Sequence, residues 1–442
     1  MERSDALFTD LYELTMMAGY HAEGRADQPA TFDLFFRKPP AGVDVVVAAG
    51  LDPVLDYLEN LRFTDDDLRY LDGLGLFRGA FLDLLAALRF TGDVWAVPEG
   101  LPVFGEEPIL RVTAPLVQAQ LVETALLNRI CYASLVASNA AQIVTAARGK
   151  AVLEFGARRA HGPDGAITGG RAALIGGCAA TSNVAVGQRF AAPLSGTMAH
   201  SWVMSYDREL DAFRAYARAF PDTCVLLVDT YDTLAVGLPN AITVAGELAE
   251  RGHELSGVRL DSGDLGLLAR EARRMLDDAG FPKVRVLASG DLDAPRIAAL
   301  EEEGAPIDGY GVGTSLLTAR HDPAFGGVYK LADVDGEPVL KVSGSPEKTT
   351  SPGCKQVWRQ PHGDVIGLAD DDLDGQPLLV PAMRDGRREV GPVPIDALRE
   401  RCRAAVADIR PLVLAGAWTV RRSARLEDLR ARMIARLRAD AC

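Results

Sequence analysis

The sequence predicts an α/β fold built around a barrel of βα units, with β-rich segments at both ends of the chain. Three observations carry that prediction. Beyond residue 150, short apolar runs are each followed by a polar cluster and then a helical pattern. The clusters recur at a nearly constant interval, 32 residues from Asp229 to Asp261 and 30 from Asp261 to Asp291, the length of one βα unit in a parallel sheet. The polar residues fall at the carboxyl end of each run, where a barrel assembles its active site. An open doubly wound sheet is the structural alternative; it ranks second because no GxGxxG follows a strand.

The elements follow in order. "LFTDLYELTMMAGYHAEG" places Leu11, Leu14, Met17 and Ala18 at helical spacing and ends at glycine. "ATFDLFFRKPP" and "VDVVVAAGL" read as strands, and residues 92–116 as a small all-β element rich in turn signals. Residues 117–148 lack Gly and Pro until the end and read as one long amphipathic helix. Six strand ends are then expected at 152–159, 193–201, 225–233, 257–264, 285–293 and 309–315. The segment "GGRAALIGGCAATSNVAVGQRF" reads as one of the intervening helices. After 329 the chain returns to hairpins, with Asp335-Gly336 as a turn, and closes on the amphipathic helix "SARLEDLRARMIARLRAD". The expected division is a β-rich α+β domain over 1–116, a barrel over 117–329, and a C-terminal segment, 330–442, packing with the first.

Composition narrows the function. Hydrophobic residues make up 48% of the chain and charged residues 24%, as in an ordinary soluble globular protein. The net charge of −14 argues against nucleic acid or an anionic membrane as the main partner, while a local arginine cluster can still hold a small anion. No stretch approaches a transmembrane span, and "MERSDALFTD" lacks the apolar core of a signal peptide, so a cytoplasmic location is expected. Cys131, Cys178, Cys224, Cys354, Cys402 and Cys442 show no CxxC pair or zinc-ligand spacing. They are expected as reduced thiols, mostly buried, with Cys442 exposed.

The strand ends carry the candidate chemistry. Arg158, Arg159 and Arg259 suit phosphate or carboxylate through bidentate hydrogen bonds. "SGD" (289–291) and "GVGT" (311–314) are either plain βα turns or a phosphate cradle of backbone N–H groups. Asp229, Asp261 and Asp291 end strands and are expected in the pocket, whereas Asp264 and Asp293 suit helix N-caps. Such acids can balance the arginines or hold Mg²⁺ against a pyrophosphate. No Walker A pattern occurs. "GTMAHSW" (196–202) ends an apolar stretch on His200; it is either a pocket-lining strand end or a helix start capped by Ser195 or Thr197.

Taken together, "FTDLYELTM", "FDLFFRKPP", "EFGARRAHGPDGA", "GTMAHSWV", "VDTYDT", "VRLDSGDL", "SGD" and "GVGTS" resemble the nicotinate phosphoribosyltransferase family, in order from residue 8 to about 360. The resemblance implies an incomplete α/β barrel with a flanking β-rich α+β domain formed from both chain ends, assembled as a homodimer. It implies the joining of nicotinate and phosphoribosyl diphosphate (PRPP) into nicotinate mononucleotide and pyrophosphate, coupled to ATP hydrolysis, in NAD salvage. Mg²⁺ is expected on the substrate rather than in a protein cage. Carried over by motif, Tyr12 and Phe155 sandwich the pyridine ring, with Tyr12 reaching in from the other subunit, and Thr197 and Arg259 contact nicotinate. Arg158, Asp261, Gly290, Asp291, Gly313 and Thr314 hold PRPP; Asp229, a strand-end acid of the same pocket, is expected with them. His200 is the residue phosphorylated by ATP, acting with Arg259 and Asp261 in catalysis. Two alternatives stand beside this one. A nicotinamide-using transferase would want an acid in the 196–201 loop, and a non-catalytic sugar-phosphate-binding barrel would not need His200, Arg259 and Asp261 together.

Overall fold

Six short strands, Ala151–Glu154, Ala180–Thr181, Val225–Leu227, Gly257–Leu260, Arg285–Ala288 and Gly309–Val312, form one all-parallel sheet. Counted along the chain, they lie in the order second, first, sixth, fifth, fourth, third. Pairing of the sixth strand with the first is the seam by which a barrel closes, and an open doubly wound sheet lacks it. The ladder is interrupted between the second and third strands. Residues 193–199 run along this gap. Leu194 makes an isolated parallel bridge to Thr181 at one edge, and the Thr197 hydroxyl donates to the Val225 carbonyl at the other. The barrel is therefore irregular at one place, and that place is the "SGTMA" segment.

The strands are buried because helices cover the sheet: Val258, Leu260, Val286, Ala288, Tyr310 and Val312 are inaccessible to solvent. Helices Leu265–Asp278 and Ala294–Glu302 start where the sequence places their caps. Asp264 accepts from the Leu267 N–H at 3.0 Å and Asp293 from the Arg296 N–H at 2.9 Å.

This sheet belongs to one of two compact units, Asn139–Pro323; the other comprises Met1–Ser138 and Ala324–Cys442. The computed structural model of the protein describes residues 5–343 and 348–440. In the second unit, strand Pro29–Phe36 pairs antiparallel with both Leu110–Pro115 and Gly327–Val334, so the two chain ends share a seven-stranded sheet. Phe32 stacks on Tyr329 across that pairing, with ring centroids 4.8 Å apart. The Asp335-Gly336 turn is present, and both residues take positive φ, 56° and 78°, as a tight two-residue hairpin requires. The α/β class, the incomplete barrel and a separate β-rich domain are thus as expected.

Several local expectations are corrected. The helix expected over 117–148 breaks at Val122 into Leu116–Leu121 and Glu123–Ala146. Residues 169–190 do not form one helix: Gly162–Ile175 ends at the Gly176-Gly177 pair, and strand Ala180–Thr181 precedes helix Val184–Phe190. That short strand, and not 193–201, is the second of the parallel sheet. Helices Leu51–Glu59, Asp65–Gly73 and Ala80–Ala87 are additions to the expected elements. The second has a legible signal, since Thr64 and Asp67 form a reciprocal capping box. Among the described residues, the five cysteines form no disulfide. Cys442 lies outside them. No described helix is long and apolar enough to cross a membrane.

Candidate active site

A small cleft, open to solvent, lies at the strand ends of the parallel sheet. Phe155, Thr197, Arg259, Ser289 and Gly311 are among its walls. Phe155 directly follows the first strand, and its N–H donates to the Val312 carbonyl at 2.8 Å. A Cβ on Gly311 would strike the Phe155 ring and the Ser289 side chain, so glycine is needed there to let the ring lie against the sheet. Arg259 projects from the fourth strand. Its buried Nε has no partner within the protein. Burial lowers the basicity of this guanidinium, Asp261 and Asp229 raise it again, and Arg158 adds to the lowering. It stays charged at any working pH. A cleft-lining guanidinium with a donor left without an acceptor suits an anion. Thr197 lines the same cleft, but its hydroxyl proton is already given to Val225.

His200 opens a five-residue helix, His200–Met204, whose N-cap position is Ala199; neither Ser195 nor Thr197 caps it. Both readings of "GTMAHSW" hold in part. The segment starts a helix, and the histidine still joins the acids of the strand ends. His200 Nδ1 lies 3.1 Å from the Thr230 hydroxyl. Its Nε2 lies 3.9 Å from Asp229 Oδ1 and 4.0 Å from Asp261 Oδ2. These separations are too long for direct hydrogen bonds and leave a ring edge available. The ring is 39% exposed, so a phosphoryl donor can reach it. Asp229 is almost wholly buried. Its Oδ2 accepts from the Asp261 N–H at 3.0 Å and the Ser262 hydroxyl at 2.7 Å, while Oδ1 has no hydrogen-bond partner. Asp229 thus shapes the turn that carries Asp261. Asp261 in turn accepts from the Ser289 hydroxyl.

The acids sort themselves by backbone role. Asp232, Asp264 and Asp293 cap helices, whereas Asp229, Asp261 and Asp291 stand at the strand ends. Gly290 takes φ +91°, and a Cβ there would collide with the Asp261 carbonyl, so only glycine fits this turn. Asp291 follows it with φ +51° and pairs with Arg320 at 2.5 Å. Gly313 precedes helix Thr314–Thr318. Arg158 sits exposed on the short turn Ala157–Arg159 after Phe155. Tyr12 belongs to the other unit. It is 47% exposed on helix Leu11–Ala22, and its hydroxyl bonds Glu123.

Three functional candidates escape the sequence reading. Arg320 reaches the Asp291 turn, and its only signal is a basic residue just beyond the "GVGTS" helix. Glu209 is buried beside Asp229, held by Asn240 at 2.9 Å, and burial pushes its carboxyl up. Glu154 is fully buried directly before Phe155; a charged residue inside "AVLEF" is the signal. Among the described residues no group of three or more His, Cys, Asp or Glu is arranged to hold a metal ion.

Comparison with known proteins agrees with the motif resemblance. Residues 7–131 match the model of the nicotinate phosphoribosyltransferase N-terminal domain, and residues 151–371 match the nicotinate phosphoribosyltransferase family. The chain is 48% identical over 412 residues to nicotinate phosphoribosyltransferase pncB2 of Mycobacterium tuberculosis, covering 92% of this chain and 88% of that one. It is 49% identical over 386 residues to the nicotinate phosphoribosyltransferase of Bacillus subtilis, covering 85% and 78%. The crystal structure of human nicotinic acid phosphoribosyltransferase superposes with a TM-score of 0.86 at 31% identity, covering 96% of this chain and 99% of that one.

Proposed function

The chain belongs to the nicotinate phosphoribosyltransferase family, and on that premise we propose how its parallel-sheet unit joins nicotinate to PRPP. One observation carries the reading: Arg259, whose buried Nε has no hydrogen-bond partner in the protein, lines the same cleft as Phe155. The nicotinate carboxylate pairs with Arg259, and Phe155 covers one face of the pyridine ring. Tyr12 of the partner subunit covers the other in a homodimer, each ring contact adding about 0.5–1.5 kcal/mol beyond buried area. Thr197 borders the ring; because its hydroxyl serves Val225, its contribution is a backbone or steric one.

Arg158, the Gly290-Asp291 turn and the Gly313-Thr314 turn hold the phosphates of PRPP. The pyridine nitrogen attacks the anomeric carbon, the carbon–oxygen bond to pyrophosphate breaks, and pyrophosphate leaves with the bonding pair. Positive charge develops at the sugar, and Asp261 offsets it. The unpartnered Oδ1 of Asp229 and the carboxylate of Asp261 suit a cation carried on the pyrophosphate. Mg²⁺ bound there would neutralise the leaving group.

His200 takes the γ-phosphoryl group of ATP on a ring nitrogen, releasing ADP, and water later returns it as phosphate. A neutral imidazole keeps a lone pair on one ring nitrogen and is nucleophilic there. Coupling to ATP follows because a new dianion beside Asp229 and Asp261 redistributes the arginine and cation contacts. The product, nicotinate mononucleotide, feeds NAD synthesis, and the enzyme works in the cytoplasm.

The test is steady-state turnover of nicotinate against nicotinamide, with PRPP and Mg²⁺. A charge-assisted pair to Arg259 contributes about 1.5–3 kcal/mol, so nicotinate is expected to be preferred by more than about tenfold. Equal use of acid and amide would remove Arg259 from the substrate.

A further inference from the structure

We propose that Glu154 is a positioning residue for nicotinate, a single buried carboxyl that holds both walls of the pyridine cleft. The proposal rests on the reading of Phe155 and the 195–197 segment as nicotinate contacts.

Glu154 ends the first strand and is completely inaccessible to solvent. One of its oxygens accepts from the Gly156 N–H, which pins the turn leaving Phe155. The other meets the Thr181 hydroxyl at 2.5 Å. Thr181 is the residue from which the gap-filling segment hangs. Its N–H donates to the Pro193 carbonyl at 3.1 Å, and its carbonyl accepts from the Ser195 N–H at 2.9 Å. The chain of contacts therefore runs from the Phe155 turn, through Glu154 and Thr181, to Ser195, two residues before Thr197. The Glu154 carbonyl adds a third tie, accepting from the Ser182 N–H at 2.9 Å.

Packing alone would put an apolar side chain here. The neighbouring strand positions Val152, Val312 and Tyr310 are fully buried, and burying a carboxyl costs free energy unless its oxygens are bonded. A valine or leucine would leave the Gly156 N–H and the Thr181 hydroxyl without their acceptor. The residues opposing Phe155 and its carbonyl are Gly311 and Gly313, which give room but no side wall. The segment 193–199 makes one bridge in place of a full strand ladder. The Phe155 wall follows a strand paired on both sides, the 193–199 wall is held by its contacts with Thr181 and Val225, and Glu154 joins the two. Burial pushes this carboxyl up, with the Thr181 and Gly156 bonds opposing; an amide of the same shape keeps one acceptor oxygen in place.

The experiment measures KM for nicotinate and for PRPP, with thermal midpoints, on the full-length enzyme. Glu154→Ala is expected to raise the nicotinate KM by about tenfold or more while the PRPP KM moves by less than about threefold. Thr181→Val removes the hydroxyl that joins Glu154 to the residue from which 193–195 hangs, together with its bond from the Asn183 N–H, and is expected to raise the nicotinate KM by a smaller factor. Combined with Glu154→Ala it adds nothing further, because both act through one link. Glu154→Gln keeps an acceptor for Gly156 and a polar group for Thr181, and is expected to rescue the nicotinate KM. If Glu154→Ala does not fold, Thr181→Val and Glu154→Gln decide. Equal rises in both KM values, an additive double variant, or Glu154→Gln as damaging as Glu154→Ala overturns the proposal. Phe155→Ala with an unchanged nicotinate KM would instead overturn the cleft assignment on which the proposal stands.

Discussion

The two units bury charge in opposite ways. In the β-rich unit, Lys355 and Asp33 meet at 2.7 Å with side chains 4% and 2% exposed, and the ammonium also donates to the carbonyls of Ser351 and Gly353. Arg359 grips Asp364 with two hydrogen bonds, at 3.0 and 2.7 Å. These charges are closed on each other. At the strand ends of the parallel sheet the charges stay open: Arg259 Nε and Asp229 Oδ1 lack partners, and the His200 ring stands about 4 Å from two carboxylates. Closed pairs fix a fold, because removing one member strands the other in a poor solvent. Open groups of complementary sign await something that completes them. The contrast is one of degree, since Asp33 Oδ1 and Arg111 Nε in the β-rich unit are also unpartnered. There, however, Asp33 meets the Lys355 ammonium and Arg111 donates to the Lys355 carbonyl, and neither lines the cleft as Arg259 does.

If the contrast is right, substitutions in the open set remove activity and leave stability, and those in the closed set do the reverse. The largest effect is expected at His200. His200→Asn should keep the thermal midpoint, abolish acid-labile label from γ-labelled ATP and abolish the stimulation of mononucleotide synthesis by ATP. Equal labelling of variant and wild type would make the histidine a bystander. Next comes Asp33→Ala, which leaves the Lys355 ammonium buried without its carboxylate. A loss of about 3–5 kcal/mol in denaturant unfolding is expected, with turnover of the folded fraction unchanged. A near-neutral result would mean that the two carbonyls satisfy Lys355 alone. Arg259→Gln should lower kcat/KM for nicotinate by about 1.5–3 kcal/mol in transition-state terms, with unfolding unaffected. Loss of stability in parallel would move Arg259 into the closed class.

Glu13 is an intermediate case that sharpens the comparison. It is fully buried and accepts from Thr9 and Thr124, yet among the described residues no cation pairs with it. Burial raises its carboxyl from 4.5 to about 7, with the Thr9 and Thr124 bonds opposing. A raised acid favours the protonated form in the folded state. Its stabilising contribution is therefore complete below about pH 4.5 and is lost as pH rises through about 7. Each tenfold gain in proton affinity on folding is worth about 1.4 kcal/mol. Glu13→Gln should flatten that part of the stability–pH curve, measured by denaturant unfolding from pH 5 to 8; an unchanged slope would assign the dependence elsewhere. The smallest effect is expected at Arg274, which is exposed and paired with Glu271 and Asp278 on its own helix. Arg274→Ala should change neither the thermal midpoint nor turnover.

Much of the site is legible in the sequence because strand ends in a βα barrel combine short apolar runs with polar punctuation. Asp229, Asp261 and Asp291 stand out by their spacing, and Asp264 and Asp293 by their place before apolar helical patterns. The departure at 193–201 has a clear cause. "AAPLS" is as apolar as a strand, but its backbone bonds go to Thr181 and to the Gly187 carbonyl, and a helix starts at His200. The true second strand, Ala180–Thr181, is two residues long, too short to leave a periodic signal.

What local sequence determines here is therefore the set of elements with strong periodicity or stereochemical demand. These include the helix at Leu11, the βα repeat, the Asp335-Gly336 turn and the positive-φ glycine of "SGD". Each follows from the residue's own conformational preferences or from nearest-neighbour burial. Tertiary structure decides the rest. It places strand Pro29–Phe36 against Gly327–Val334, almost three hundred residues later in the chain. It pairs the sixth parallel strand with the first, and it sets Glu154 between Gly156 and Thr181. These depend on contacts between residues far apart in sequence. Their cost is loop closure and desolvation, and their reward appears only when the whole barrel is assembled. A buried glutamate in "VLEF" is an anomaly until the hydroxyl and the N–H that it serves have been brought to it.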